Sequence, residues 1–287
     1  MHNPIMSTGT GAAPTALTRR RWRSRLAIPV MIALGTGLIA AGGWSVGAFA
    51  NDDAPGPLVP RSLPLLPDLV MGPIEDIAVG TTDTGQQRLR FAARIVNIGA
   101  GPFIIRAHRP WIGGEDWTVE QWIQDRSGGY SSTTTGSTLI YGGDGHNHWH
   151  VKQVEVHQLE TLDGKVLGRL LKQGFCFFDT DPYDPNLAGA PQKAHWGALG
   201  CATPFDTRVR MGLSVGWGDK YPWHLIDERI DVTNVPDGMY RLREIADPNN
   251  DFIEADKSNN ETWADIQLTA LPGGLRDVKV VRAGPAP

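Results

Sequence analysis

The chain has no surplus of positive charge. With 27 Lys and Arg against 31 Asp and Glu, its formal net charge is −4, so nothing in it argues for a nucleic-acid partner. It has no internal repeat. Beyond the N-terminus it shows no sustained helical period, which removes a helical bundle from consideration. Histidine is scarce, at 8 residues, yet three of them crowd into "DGHNHWHV" at 144–151. The chain's two cysteines lie outside that cluster, which argues against a blue-copper centre. No acidic residue stands at a general-base spacing within the cluster, which argues against a zinc hydrolase. Hydrophobic content of 41% and charged content of 20% leave an ordinary globular balance without bulk disorder.

Glycine (34) and proline (21) are abundant instead, and they punctuate short strands. "RLRFAARIV" places Leu89, Phe91, Ala93 and Ile95 on one face and Arg88, Arg90 and Arg94 on the other. "STLIYGG" and "HWHVKQVEVHQLE" read as further strands, "LDGK" at 162–165 as a hairpin turn, and Pro236-Asp237-Gly238 as a turn between strands. The expectation is a mostly β, β-sandwich-like antiparallel domain with long loops. An N-terminal signal or anchor helix precedes it. "RRRWRSR" at 19–25 leads into a 26–50 apolar run that ends in Ala48-Phe49-Ala50. Residues 1–50 therefore read as a signal peptide or as an uncleaved membrane anchor, both of which put the rest outside the cytoplasm. Residues 51–64 read as a Pro-rich linker, 65–271 as the domain and 272–287 as a short loose tail. In an oxidising space Cys176 and Cys201 can bridge, for about 3 kcal/mol in the chain-entropy model; two buried thiols are the alternative.

On an extended backbone His146, His148 and His150 share one side, with Asn147 and Trp149 on the other. Three imidazoles on one face suit copper, zinc or nickel and leave positions open on the metal. A surface loop with hydrogen-bonded histidines is the alternative. His157, seven residues after His150, would face away from the cluster on an unbroken strand.

Around these histidines the chain resembles the catalytic domain of the lysyl oxidases, copper-dependent amine oxidases. That family carries His-x-His-x-His followed by a histidine seven residues on, here His146, His148, His150 and His157. "LKQGFCFFDTD", "GLSVGWGDKYPWHLIDERIDVTNVPDGMYRLR" and "DPNNDFIEADKSNNE" are similar to family segments in the same order, and "LPDLV" and "RLRFAARIVNIGAGPF" fit the domain's opening. The resemblance covers about residues 65–268. It implies Cu(II) on the histidines and a self-derived lysine tyrosylquinone, with Lys172 at the lysine's place and Tyr221 at the tyrosine's. It also implies oxidative deamination of a primary amine or a lysine-containing peptide by O2, giving aldehyde, ammonia and H2O2. His157 is the matched candidate for general base, with Asp179 and Asp219 as acidic alternatives and a structural histidine as the plain reading.

A human family member holds calcium at positions matched here by Asp68, the Leu69 carbonyl, Glu254, Asp256, Asn259 and Asn260, and these are suitable hard oxygen donors. A solvated acidic turn is the alternative. The animal enzymes carry several disulfides. Cys176 matches one family cysteine, but Cys201 falls in a segment of different length, so connectivity does not transfer. A second reading of the whole keeps the copper and drops the enzyme: an exported copper-binding β-sandwich or adhesion module that never forms the quinone.

Overall fold

The computed structural model describes residues 62–142, 147–172, 174–225 and 229–284. The expected signal or anchor segment, most of the linker, and His146 lie outside the described residues. The strand Gln87–Asn97 organises the domain. Its inward residues alternate as the sequence pattern requires, but they enter two cores rather than one. Leu89 and Phe91 join Leu159, Leu242 and Ile266, whereas Ala93 and Ile95 join Phe103, Phe177 and Tyr221. Eleven extended residues reach roughly 35 Å, long enough to serve both.

Three antiparallel sheets and one ribbon are built around it. The first runs Pro64–Leu65, Thr118–Asp125, Phe103–His108, Arg208–Leu213, with Tyr130–Thr134 also on Thr118–Asp125. The second runs Val166–Leu171, Glu155–Thr161, Gly238–Ala246, Glu261–Ala270, Arg276–Ala283. The third runs Asp181–Pro182, Trp217–Tyr221, Gln87–Asn97, Arg229–Asp231, with Leu69–Met71 and Glu75–Thr81 also on the long strand. The ribbon pairs Leu139–Tyr141 with Trp149–Val151. Among the described residues the one helical element is the 3-10 turn Ala198–Cys201, and no helix is long and apolar enough to cross a membrane. The mostly β, antiparallel expectation holds.

Three details differ from the sequence pattern. "HWHVKQVEVHQLE" is not one strand: it stops at Val151 and resumes at Glu155, because Gln153 turns the chain at φ 59°. Face alternation therefore does not carry from His150 to His157. The segment read as a loose tail contains the edge strand Arg276–Ala283, which Asp265 holds by accepting from Arg282 at 2.6 Å while also pairing with Arg241 at 2.8 Å. The linker likewise ends early, with Pro64 and Leu65 already paired to Asp125 and Gln124. Cys176 and Cys201 form a disulfide with their Cα atoms 5.9 Å apart.

Candidate active site

Lys172 leaves the end of Val166–Leu171 and enters a stretch stitched back onto the ribbon. Its N–H donates to the Glu155 carbonyl at 3.1 Å, and Phe175 and Val151 exchange two backbone hydrogen bonds of 2.9 Å. The close approach depends on Gly174, where a Cβ would stand 2.3 Å from the Cβ of His150. Tyr221 ends the strand Trp217–Tyr221, directly opposite Ala93. Its ring packs against Phe175 at 4.5 Å, and its hydroxyl accepts the Cys176 N–H at 3.3 Å. The Lys172 ammonium lies over this ring, Nζ 3.5 Å from the centroid. Lys172 is 1% exposed and Tyr221 5%, so the pair is enclosed in the protein interior.

On the ribbon, His148 and His150 face the same way and bring their Nε2 atoms to 3.0 Å. Two imidazoles bound to one ion at about 2.0 Å each would set their nitrogens roughly 2.8–3.3 Å apart for angles between square and tetrahedral. The pair thus fits adjacent positions on one metal. Trp149 points the other way and anchors the ribbon. It packs on Trp117 at 4.8 Å and Tyr141 at 5.3 Å, and its Nε1–H donates to the Thr203 carbonyl at 2.9 Å.

A cleft of about 630 Å³ joins these groups, lined by His148, Thr180, Asp219 and Tyr221 among others. Asp219 is 1% exposed, and among the described residues its carboxylate makes no hydrogen bond of normal length. Burial pushes its pKa well above the ordinary carboxylate range; the charge of Lys172 and the nearby polar groups of Phe178 and Thr180 pull back less strongly. Asp179 is a different kind of residue. It accepts the backbone N–H groups of His195 and Ser214 at 2.8 Å, that of Trp196 at 3.1 Å and the Ser214 hydroxyl at 2.7 Å. Its acceptor directions are spent on tying the 182–201 segment, through His195 and Trp196, to Ser214.

His157 is fully buried in the second sheet, beside Phe91 and outside the lining of this cleft. Its Nε2 is 3.8 Å from Glu155 and its Nδ1 3.5 Å from Glu244, which is its cross-strand partner. Burial, with the Lys172 charge second, holds its pKa well below the usual histidine range. Sequence reasoning missed Glu155 and Glu244. The signal was there in Glu155 standing two residues before His157, hence on the same face of an apolar strand.

Of the residues that the resemblance matches to calcium ligands, Asp68, Leu69, Glu254, Asn259 and Asn260 come together. Asn259 Nδ2 donates to Asp68 at 3.1 Å and Asn260 Nδ2 to Glu254 at 3.0 Å, while the other Glu254 oxygen accepts the Leu69 N–H at 2.7 Å. Burial pushes Glu254 up to about 7 and Asp68 above its usual value. The Oδ1 atoms of Asn259 and Asn260 are buried and accept no hydrogen bond among the described residues. Lys257 stands 3.6 Å from Glu254 as an internal cation. Asp256 instead accepts the N–H of Ser258 at 2.8 Å and its hydroxyl at 2.7 Å.

Residues 143–272 match the family model for lysyl oxidase. The chain is similar to Lysyl oxidase homolog 2 of Homo sapiens, 29% identical over 179 residues, which is 62% of this chain and 18% of that protein. It is similar to Lysyl oxidase homolog 2A of Danio rerio, 27% identical over 173 residues, covering 60% of this chain and 18% of the relative. Lysyl oxidase homolog 4 of Mus musculus is 28% identical over 173 residues, covering 60% and 17%. The chain thus spans less than a fifth of these relatives' length.

Proposed function

Residues 143–272 of this chain match the lysyl oxidase family model, and from that likeness we propose that its domain oxidises primary amines, peptidyl lysine among them, using copper and a quinone made from Lys172 and Tyr221. One observation carries the reading: the buried Lys172 Nζ over the Tyr221 ring at 3.5 Å. A lysine over a tyrosine ring is favourable in itself, but a lysine only 1% exposed is rare and here sets its amine beside the ring. Enclosing an ammonium costs several kcal/mol unless it is compensated.

When bound, copper and the quinone supply the redox chemistry, by which amine, water and O2 become aldehyde, ammonia and H2O2. His148 and His150, with His146, are the residues that would hold the copper. Phe175, packed on the Tyr221 ring, and the Cys176 N–H on its hydroxyl keep the ring from rotating out of reach of Lys172.

Asp219 is the acceptor we assign for the substrate's α-proton, in preference to His157 and Asp179. It lines the cleft with Tyr221, and its buried carboxyl is a stronger base than an exposed one. His157 lies behind Lys172 in the second sheet, and Asp179 is committed to the loop it holds. Joining the Lys172 nitrogen to an aromatic ring would remove its ammonium charge, so Asp219 would become more basic once the cross-link forms.

The converging Asp68, Glu254, Asn259 and Asn260 support a calcium staple between the two ends of the domain. The disulfide, with the basic and apolar N-terminal pattern, supports a secreted or membrane-anchored protein facing an oxidising space.

The test is amine-dependent H2O2 release by the copper-loaded chain, with the mass of the peptide linking Lys172 to Tyr221. A cross-linked peptide and its loss in Tyr221→Phe are the expected results. H2O2 release that survives both Lys172→Ala and Tyr221→Phe would show the quinone assignment to be wrong.

A further inference from the structure

On the outer face of the first sheet, Phe103–His108 and Arg208–Leu213 run antiparallel with Arg106 directly opposite Arg210 and His108 directly opposite Arg208. All four side chains therefore stand on one face, while Ala107 and Val209 between them are buried. Like charges set directly opposite across a sheet repel. Arg106 registers the repulsion: burial first and Arg210 second pull its pKa below the usual guanidinium value.

One acid, Glu120, shares the pocket and acts on Arg106, but a single carboxylate does not balance three guanidinium groups. Among the described residues, Arg106, Arg208 and Arg210 form no ion pair with any carboxylate within 4.0 Å. Glu120 is opposite Arg106 but accepts from Trp122 Nε1 at 3.4 Å and the Ser132 hydroxyl at 3.5 Å. Arg106 is held flat on the Trp122 ring at 3.6 Å, and its buried Nε donates to nothing among the described residues. The guanidinium is thus fixed in place with donors to spare.

This face is connected to the active-site cleft. A pocket of about 610 Å³ holds Arg106, Arg208 and Arg210. It shares Arg208, Val209 and Arg210 with a groove of about 510 Å³, and that groove shares Asn147 and His148 with the cleft at Tyr221. The groove is floored by apolar groups, Leu199 being 98% exposed. Its acid, Asp206, is held ionised by the Thr203 hydroxyl at 2.6 Å and N–H at 2.7 Å, so it repels a substrate carboxylate from the middle of the groove and leaves the guanidinium end as the place for one. An apolar track from a reactive cleft to a fixed set of guanidinium groups has the form of a site for an extended chain with carboxylates at one end.

We propose that the face bearing Arg106, Arg208 and Arg210 binds carboxylates of an acidic polypeptide whose lysine enters the cleft at Tyr221. This rests on the amine-oxidase reading and adds the substrate's chemical class: a lysine flanked, at a fixed distance on one side, by Asp or Glu. A polypeptide is favoured over other polyanions because the track is apolar between the two polar ends.

The experiment uses fluorescent peptides with one lysine and an Asp-Asp pair moved stepwise away from it, with Asn-Asn peptides as controls. Kd is read by anisotropy on the full chain carrying Tyr221→Phe, so binding is measured whether or not the protein is an oxidase. One spacing should bind about tenfold tighter than its Asn-Asn control, and the gain should vanish in Arg208→Glu/Arg210→Glu and fall in Arg210→Gln. In copper-loaded protein the same charge reversals should lower kcat/KM about tenfold for the best acidic peptide and leave a simple alkylamine unchanged. Equal binding of acidic and neutral peptides overturns the proposal. So does equal tightening at every spacing, or displacement by a sulfated oligosaccharide whatever the spacing, either of which marks a general polyanion surface. Spacing-dependent binding without H2O2 release from any amine would instead sink the oxidase reading and leave the peptide face standing.

Discussion

Two walls of one site are built on opposite principles. Lys172, Phe175 and Tyr221 form a dry wall packed into the core, with the lysine's charge enclosed. His148, Thr180 and Asp219 line the cleft. A bond formed between two residues of the same chain gains from burial, which fixes both partners in reach and excludes water. A step on an incoming amine needs an opening. Asp219 and Tyr221 have both properties, being buried as groups yet lining the cleft, whereas Lys172 is not among the cleft's lining. On the proposed function, full enclosure and action on a substrate are separable: Lys172 would make the cofactor and Asp219 would use it.

The sharpest break comes from Tyr221→Phe or Lys172→Arg. Either should abolish amine-dependent H2O2 release, a loss of more than about a thousandfold, while the fold and copper content persist. Retained activity in Lys172→Arg would mean that the dry wall is only packing. Asp219→Asn should act on the other wall alone, lowering turnover by about a hundred- to ten-thousandfold with the Lys172–Tyr221 cross-link still detected by mass. A variant that lost the cross-link instead would move Asp219 to the dry side.

Asp219 also separates activity from stability in pH. Its folded-state pKa is raised by burial, so its contribution to folding is present when it is protonated, at acid pH, and is lost as pH rises through that raised value. Proton abstraction needs the ionised form. Amine turnover should therefore climb with pH, from above the ordinary carboxylate range, across the interval in which the Asp219 share of stability falls. Identical stability profiles for wild type and Asp219→Asn would break this account.

Much of this was legible in the sequence, unevenly. Period-two apolar patterning exposed the long strand Gln87–Asn97, because one face is buried while Arg88, Arg90 and Arg94 stand half-buried on the other. The edge strand Arg276–Ala283 was not legible, since one side of it faces solvent and its sequence need not look like a core strand. His148 and His150 stood out by their period-two spacing, whereas Lys172 and Tyr221 could be picked out only by resemblance to a family; spacing alone does not bring that lysine onto that tyrosine. Glu155 and Glu244 show the limit. They lie on neighbouring strands in register, and register is set by tertiary pairing that no local pattern states.

The disulfide tests how firmly the dry wall must be held. Cys176 lies between Phe175 and Phe177, and its N–H meets the Tyr221 hydroxyl, while Cys201 lies at the end of the 3-10 turn beside the groove. Cys176→Ser/Cys201→Ser should cost about 3 kcal/mol in denaturant unfolding and slow cross-link formation more than turnover of already cross-linked protein. Equal slowing of both would mean that the bridge supports the open wall as much as the dry one.

The smallest effect belongs to the cluster around Asp68 and Glu254. Asp68 and Glu254 are carboxylates held above their usual pKa by burial, and Asn259 and Asn260 offer unengaged oxygens beside them. A divalent cation there would satisfy both, displacing the weaker compensation from Lys257. Calcium at a hundred times its dissociation constant should stabilise the chain by about 2.7 kcal/mol, a rise in melting temperature of about 5–10 °C, and Asn260→Ala should remove most of it. Because this cluster touches neither wall, amine turnover at a temperature well below melting should not change. Calcium that altered turnover without raising the melting temperature would make it part of the site's chemistry, and the separation of staple from walls would fail.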